Sequence, residues 1–105
     1  MIELEEKNWE KEISTPGIVV ADFFADWCGP CKSLAKTLEE LSEELDSVKF
    51  VKINVEDCDS AAEEFGIRNV PTLIIFKDGE VKKKSVGSIP KDKIKQLIEE
   101  AANEE

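Results

Sequence analysis

Apolar positions change period several times along the chain, and each change predicts an element. Residues 18–24 read Ile-Val-Val-Ala-Asp-Phe-Phe, an apolar run broken only by Asp22. That is the pattern of a central strand buried on both faces. From about Cys28 to Leu45 the period turns helical. Leu34, Leu38, Leu41 and Leu45 recur at intervals of four, three and four, while Lys36, Glu39, Glu40, Glu43 and Glu44 occupy the outer face. A second strand is predicted from Val48 to Val55. Strand, helix and strand in this order imply a parallel, right-handed crossover.

Upstream, the alternation at Ile2 and Leu4 predicts an edge strand. Asn8 is expected to cap a short helix carrying Trp9 and Ile13, which Thr15-Pro16-Gly17 ends. Downstream, Ser60-Ala61-Ala62-Glu63 reads as a capping box opening a short helix that Gly66 stops. Thr72 to Lys77 is an apolar strand, Asp78-Gly79 is a hairpin turn, and Glu80 to Val86 is the return strand. Lys82, Lys83 and Lys84 mark that strand as a protected edge. Pro90 opens a last helix with Ile94, Leu97, Ile98 and Ala101 on one face, and Glu104-Glu105 is expected to fray. The order β-α-β-α-β-α-β-β-α, with no repeat or linker, predicts one α/β domain over residues 1–105. It has a central mixed five-stranded sheet with helices on both faces.

Chemistry concentrates where the first long strand meets its helix. Cys28 and Cys31 are three residues apart, so a helical path puts both on one face, one turn apart. Two thiols placed this way can close a local disulfide with little backbone movement. The loop so closed is too short to stabilise the fold much, which favours a redox device over a staple. Unsatisfied N–H groups at the helix start favour a thiolate, so Cys28 is assigned as the attacking thiol. Cys31, one turn inside and further from solvent, is the resolving thiol. Pro30 suits the first helical turn and stiffens the pair. Asp22 lies within the apolar strand. Either it turns toward solvent, or it is a buried carboxyl of raised pKa below the cysteines that takes the proton of Cys31.

The string Trp27-Cys28-Gly29-Pro30-Cys31-Lys32, preceded by Asp22-Phe23 and followed much later by Val70-Pro71-Thr72, resembles the thioredoxin family over nearly the whole chain. The resemblance implies the thioredoxin fold, with the first strand at one sheet edge and the hairpin at the other. It implies that Asp22 is buried behind the disulfide with Lys52 near it; the residues alone also allow Lys52 to face solvent. It further implies a cis Val70–Pro71 bond facing the cysteines, where sequence alone favours trans. That bond would expose the Val70 backbone to a client chain for strand-like hydrogen bonds. Trp27, Gly29, Pro30, Val70 and Gly87, with Pro71, then form an apolar rim that holds extended client segments. Two positions depart from the family pattern: Phe24, where many members have Trp, and Lys36, where many have a helix-kinking Pro.

Composition narrows the choice further. With 24 Asp and Glu against 14 Lys and Arg, the net charge is −10, which argues against nucleic acid and fits simple solubility. No histidine is present, removing Cys-His proteolysis and the commonest zinc ligand, so no metal site is expected. The odd count of three cysteines does not suit a secreted disulfide framework; Cys58 reads as a passive thiol. Without an apolar h-region or an 18-residue apolar run, neither leader nor membrane span is expected, and the reducing cytoplasm is the natural compartment. The expected function is that of a monomeric thiol–disulfide oxidoreductase, a general protein-disulfide reductase serving electron transport and cell redox homeostasis. It binds no cofactor itself. The resemblance implies that a separate thioredoxin reductase-like flavin enzyme drawing on NADPH restores its dithiol, with a ferredoxin-linked donor as the alternative. A disulfide oxidase or isomerase of the same fold, or a redox-independent binding module on the Trp27–Pro71 face, are the competing readings.

Overall fold

The computed structural model describes residues 1–104, and its nine elements follow the predicted order. The strands are β1 (Ile2–Glu3), β2 (Ile18–Phe24), β3 (Lys49–Asn54), β4 (Thr72–Lys77) and β5 (Glu80–Val86). The helices are α1 (Trp9–Ile13), α2 (Gly29–Glu44), α3 (Asp59–Glu64) and α4 (Lys91–Asn103). They build one sheet in the order β1-β3-β2-β4-β5. β3 runs parallel to both β1 and β2, whereas β4 is antiparallel to β2 and β5. The short first strand and the hairpin therefore sit at opposite edges, as the resemblance implies.

Alternation along β2 divides the core. Val19, Ala21 and Phe23 join Val51, Ile53, Ile74 and Phe76 on the face covered by α1 and α3. Val20 points the other way and joins Phe50, Leu73 and Ile75 beneath Leu34, Leu38 and Leu41 of α2 and Ile94, Ile98 and Ala101 of α4. By this alternation Asp22 also faces α2 and α4, at the end of β2 nearest the cysteines. α2 continues through Lys36 as one helix to Glu44, so the missing proline leaves no break there. Asp78 (φ 52°) and Gly79 (φ 84°) both take the left-handed backbone that a tight hairpin turn requires.

Three local expectations need correction. Asn8 precedes α1 but does not cap it: its Oδ1 accepts the N–H of Glu5 at 2.8 Å instead. Ser60 is no N-cap either, because α3 starts at Asp59 and Cys58 holds the cap position. The Ser60 hydroxyl is taken by a residue 54 positions away, donating to the Glu6 carboxylate at 2.6 Å, while it accepts Trp9 Nε1–H at 2.9 Å. The C-terminus is tied rather than frayed at Glu104, whose carboxylate lies 3.2 Å from Lys83 Nζ and whose carbonyl accepts from Lys77. Glu105 lies outside the described residues. The lysines of β5 do more than guard an edge: Lys83 also meets Glu100 at 3.6 Å, and Lys84 donates to the Phe65 carbonyl at 3.1 Å, fastening β5 to α4 and to the end of α3.

Candidate active site

β2 ends at Phe24, and Ala25, Asp26 and Trp27 turn the chain into α2. Cys28 stands at the N-cap in extended backbone, with Pro30 in the first helical turn. Cys28 and Cys31 are joined as a disulfide, with their Cα atoms 5.3 Å apart. The backbone N–H of Cys31 donates to Cys28 Sγ at 3.2 Å. A sulfur in that position satisfies one of the orphan donors of the helix start, and a thiolate does so better than a thiol. The two cysteines differ little in exposure, at 4% and 2%, so solvent access does not separate their roles. The helix terminus does, since its N–H points at Cys28.

Asp22 is buried, and neither carboxyl oxygen has a hydrogen-bond partner. Burial pushes its pKa up to about 7, against a smaller downward pull from the Lys52 ammonium. The solvent-facing alternative for Asp22 is thereby removed. Lys52 is the register partner of Asp22 on β3. Its Nζ lies 5.8 Å from the centroid of the Phe24 ring, and among the described residues it makes no ion pair with Asp22. Asp22, Lys52 and Cys31 line one cavity of about 180 Å³ together with Phe24, Ala25, Asp26, Lys32 and Ala35. A cavity of that size has room for water between carboxyl and sulfur.

On the outer side, Trp27 is 73% exposed. Gly29 and Pro30 are exposed beside it, and Val70 and Gly87 are half-buried. The Val70–Pro71 bond is cis, and Val70 packs against Ala25, Cys28 and Cys31. Pro71 itself is buried, and its carbonyl accepts the N–H of Gly87 at 2.8 Å. Among the described residues nothing hydrogen-bonds to the Val70 backbone. A groove of about 360 Å³ lies between Trp27 and Val70 and is lined also by Val55, Ile67, Arg68 and Asn69.

The sequence does not mark these last four residues as part of a site, nor Asp26 at the inner cavity, while Lys32 stands in it only as the last residue of the family string. Asp26 directly precedes that string, and this position is the signal that points to it. Val55 and Ile67 reach the groove only through the crossover and the loop after α3, which no spacing announces. Cys58 is fully buried and its Sγ faces the Leu4 carbonyl at 3.6 Å, away from the pair.

The thioredoxin family model matches residues 1–100. The chain is 42% identical over 99 residues to thioredoxin of Bacillus subtilis (strain 168), spanning 93% of this chain and 94% of that protein. It is 46% identical over 92 residues to thioredoxin of Chlamydia caviae, spanning 88% and 89% respectively. A solved structure of a mutant thioredoxin from Halobacterium salinarum NRC-1 superposes with a TM-score of 0.89 at 36% identity, covering 99% of this chain and 92% of that one. The chain belongs to the thioredoxin family and is a thiol–disulfide oxidoreductase whose redox pair is Cys28 and Cys31.

Proposed function

We propose that this chain is a general protein-disulfide reductase that carries electrons from a dedicated reductase to client proteins in the cytoplasm, as a monomer. The observation that carries the reading is the Cys31 N–H aimed at Cys28 Sγ, with a buried, unpartnered Asp22 sharing the cavity with Cys31. The Cys28 thiolate attacks one sulfur of the client disulfide and displaces the other as a thiolate. Cys31 then gives up its proton, with Asp22 as the acceptor through water. Its sulfur attacks Cys28 Sγ and releases the second client thiolate. Two electrons pass to the client, and Cys28–Cys31 is left oxidised.

A carboxyl with a pKa of about 7 is suited to this transfer, because it changes protonation state at working pH. Lys52 adjusts that poise from the neighbouring strand. The rim of Trp27, Gly29, Pro30, Val70, Pro71 and Gly87 receives the client, and the free Val70 backbone offers the strand-like hydrogen bonds. The pair is re-reduced by a separate flavin enzyme drawing on NADPH; the chain holds no cofactor of its own. No helix among the described residues is long and apolar enough to cross a membrane.

The test is the redox equilibrium of the pair against a dithiol buffer, followed by Trp27 fluorescence, together with reduction of a disulfide-bonded protein. A strongly reducing potential with client reduction is expected. An oxidising potential would assign the chain to disulfide formation or isomerisation instead. Client binding that survives change of both Cys28 and Cys31 to Ser, without electron transfer in the native chain, would leave only a binding module.

A further inference from the structure

Asp22 and Phe24 are two residues apart on β2, so their side chains share a face, and both line the inner cavity with Lys52. One cation thus has two possible partners. As the register partner of Asp22, Lys52 starts from a Cα position directly beside it. Its ammonium nevertheless lies over the Phe24 ring, 5.8 Å from the centroid, within the range at which a ring quadrupole attracts a cation. Both oxygens of Asp22 are left without a hydrogen bond.

The other charged groups do not account for this placement. Asp26 and Lys32 line the cavity at its exposed end, and Cys31 is tied up in the disulfide. The register partner of Asp22 on β4 is the apolar Leu73. Glu3, the partner of Lys52 on β1, is exposed and makes no ion pair with it among the described residues.

We propose that Phe24 is a positioning residue: its ring holds the Lys52 ammonium at the cavity wall and away from the Asp22 carboxyl, so ring and carboxyl compete for one cation. The aromatic residue before the cysteine motif thereby sets how strongly Lys52 acts on the acid. Its functional consequence rests on the proton-transfer reading of Asp22; the competition itself does not.

The experiment is a pH titration of the Asp22 carboxyl carbon by NMR in the oxidised protein, in wild type, Phe24→Leu, Phe24→Trp, Lys52→Met and the two double variants. Loss of the ring frees the ammonium to settle on Asp22. Phe24→Leu is expected to lower the Asp22 midpoint by about half a pH unit, the size of a partly exposed cation–π attraction. Lys52→Met is expected to raise the midpoint, and adding Phe24→Leu to it should then change nothing. Phe24→Trp, a stronger cation binder, is expected to raise the midpoint above the wild-type value while Lys52 is present and to change nothing in the Lys52→Met background. If Phe24→Leu fails to fold, the Trp variant with and without Lys52 decides the matter alone. Equal shifts with Lys52 in place and with Lys52→Met, or no shift in either background, would overturn the proposal. A midpoint that moves while the pH profile of turnover stays fixed would keep the competition and remove Asp22 from proton transfer.

Discussion

Cys31 donates its backbone N–H to Cys28 Sγ across 3.2 Å. The two cysteines are buried alike, yet only one of them sits where a helix start can stabilise negative sulfur. This asymmetry predicts different outcomes for the two Ser variants. Cys31→Ser is expected to accumulate a mixed disulfide with client through Cys28, and Cys28→Ser to form none productively. Non-reducing gels with mass spectrometry read this directly, and equal trapping by either variant would reverse or void the assignment.

Asp22 ties stability to pH. Its carboxyl titrates at about 7 in the fold against an ordinary value of 3.8, so it is neutral in both folded and unfolded chains below the ordinary value. Between these values the unfolded chain ionises and the folded one resists, and stability falls as pH rises, levelling above about 7. Asp22→Asn removes this loss. Relative to wild type, the variant is expected to gain on the order of 4 kcal/mol between about pH 4 and about pH 8. Urea unfolding of the oxidised forms at the two pH values measures it. Slower release of reduced client by the same variant near neutral pH is the companion kinetic result.

Trp27 is expected to matter for clients and not for folding. At 73% exposure it contributes little to the core, so Trp27→Ala should shift stability by no more than about 0.5 kcal/mol. It removes one wall of the groove that also holds Val70 and Arg68. The KM for a protein client is expected to rise several-fold, while reaction with a small disulfide changes much less. A comparable loss with both substrates would place Trp27 in the chemistry instead.

Ser60→Ala tests the link between the N-terminal segment and α3. The hydroxyl donates to Glu6 and accepts from Trp9, whose indole is 6% exposed and would be left without a partner. The expected cost is about 1–2 kcal/mol in denaturant unfolding, with altered Trp9 emission in a Trp27→Phe background. The same bonds hold the Glu6 carboxyl below its usual pKa, the Ser60 hydroxyl first and its backbone N–H second. Their stabilisation is therefore present above the ordinary glutamate pKa and fades as pH falls through the lowered value.

The long elements were legible because burial imposes their periods. Ile18–Phe24 was read to the residue, and the leucines of α2 placed that helix within one residue at each end. The cysteine motif marked the redox pair for the same reason: its chemistry is local. What escaped the sequence depends on contacts between distant segments. Ser60 looked like a cap because nothing in its surroundings reveals Glu6, 54 residues earlier. Phe65 lies just past α3, yet its ring meets Trp9, Phe23 and Phe76 edge-on and anchors that end of the helix. The groove beside Trp27 likewise needs two loops brought together. Asp22 was a halfway case: an acid in an apolar strand is conspicuous, but only the fold shows that Lys52 is its register partner and lies over Phe24.

Cys58 is sealed at 0% exposure, and burial first, then the nearby acids Glu6, Asp57, Glu3 and Asp59, raises its thiol pKa. The molecule therefore keeps a simple ledger: three cysteine sulfurs, but only two in circulation. Between clients each chain is either loaded or spent, and a buried Cys58 keeps a third sulfur out of the exchange. A thiol reagent added to the reduced native protein would start at Cys28 and consume the pair before Cys58. The third would be counted only as individual molecules open, turning Cys58 into a clock for the breathing of the β1–α3 side of the fold.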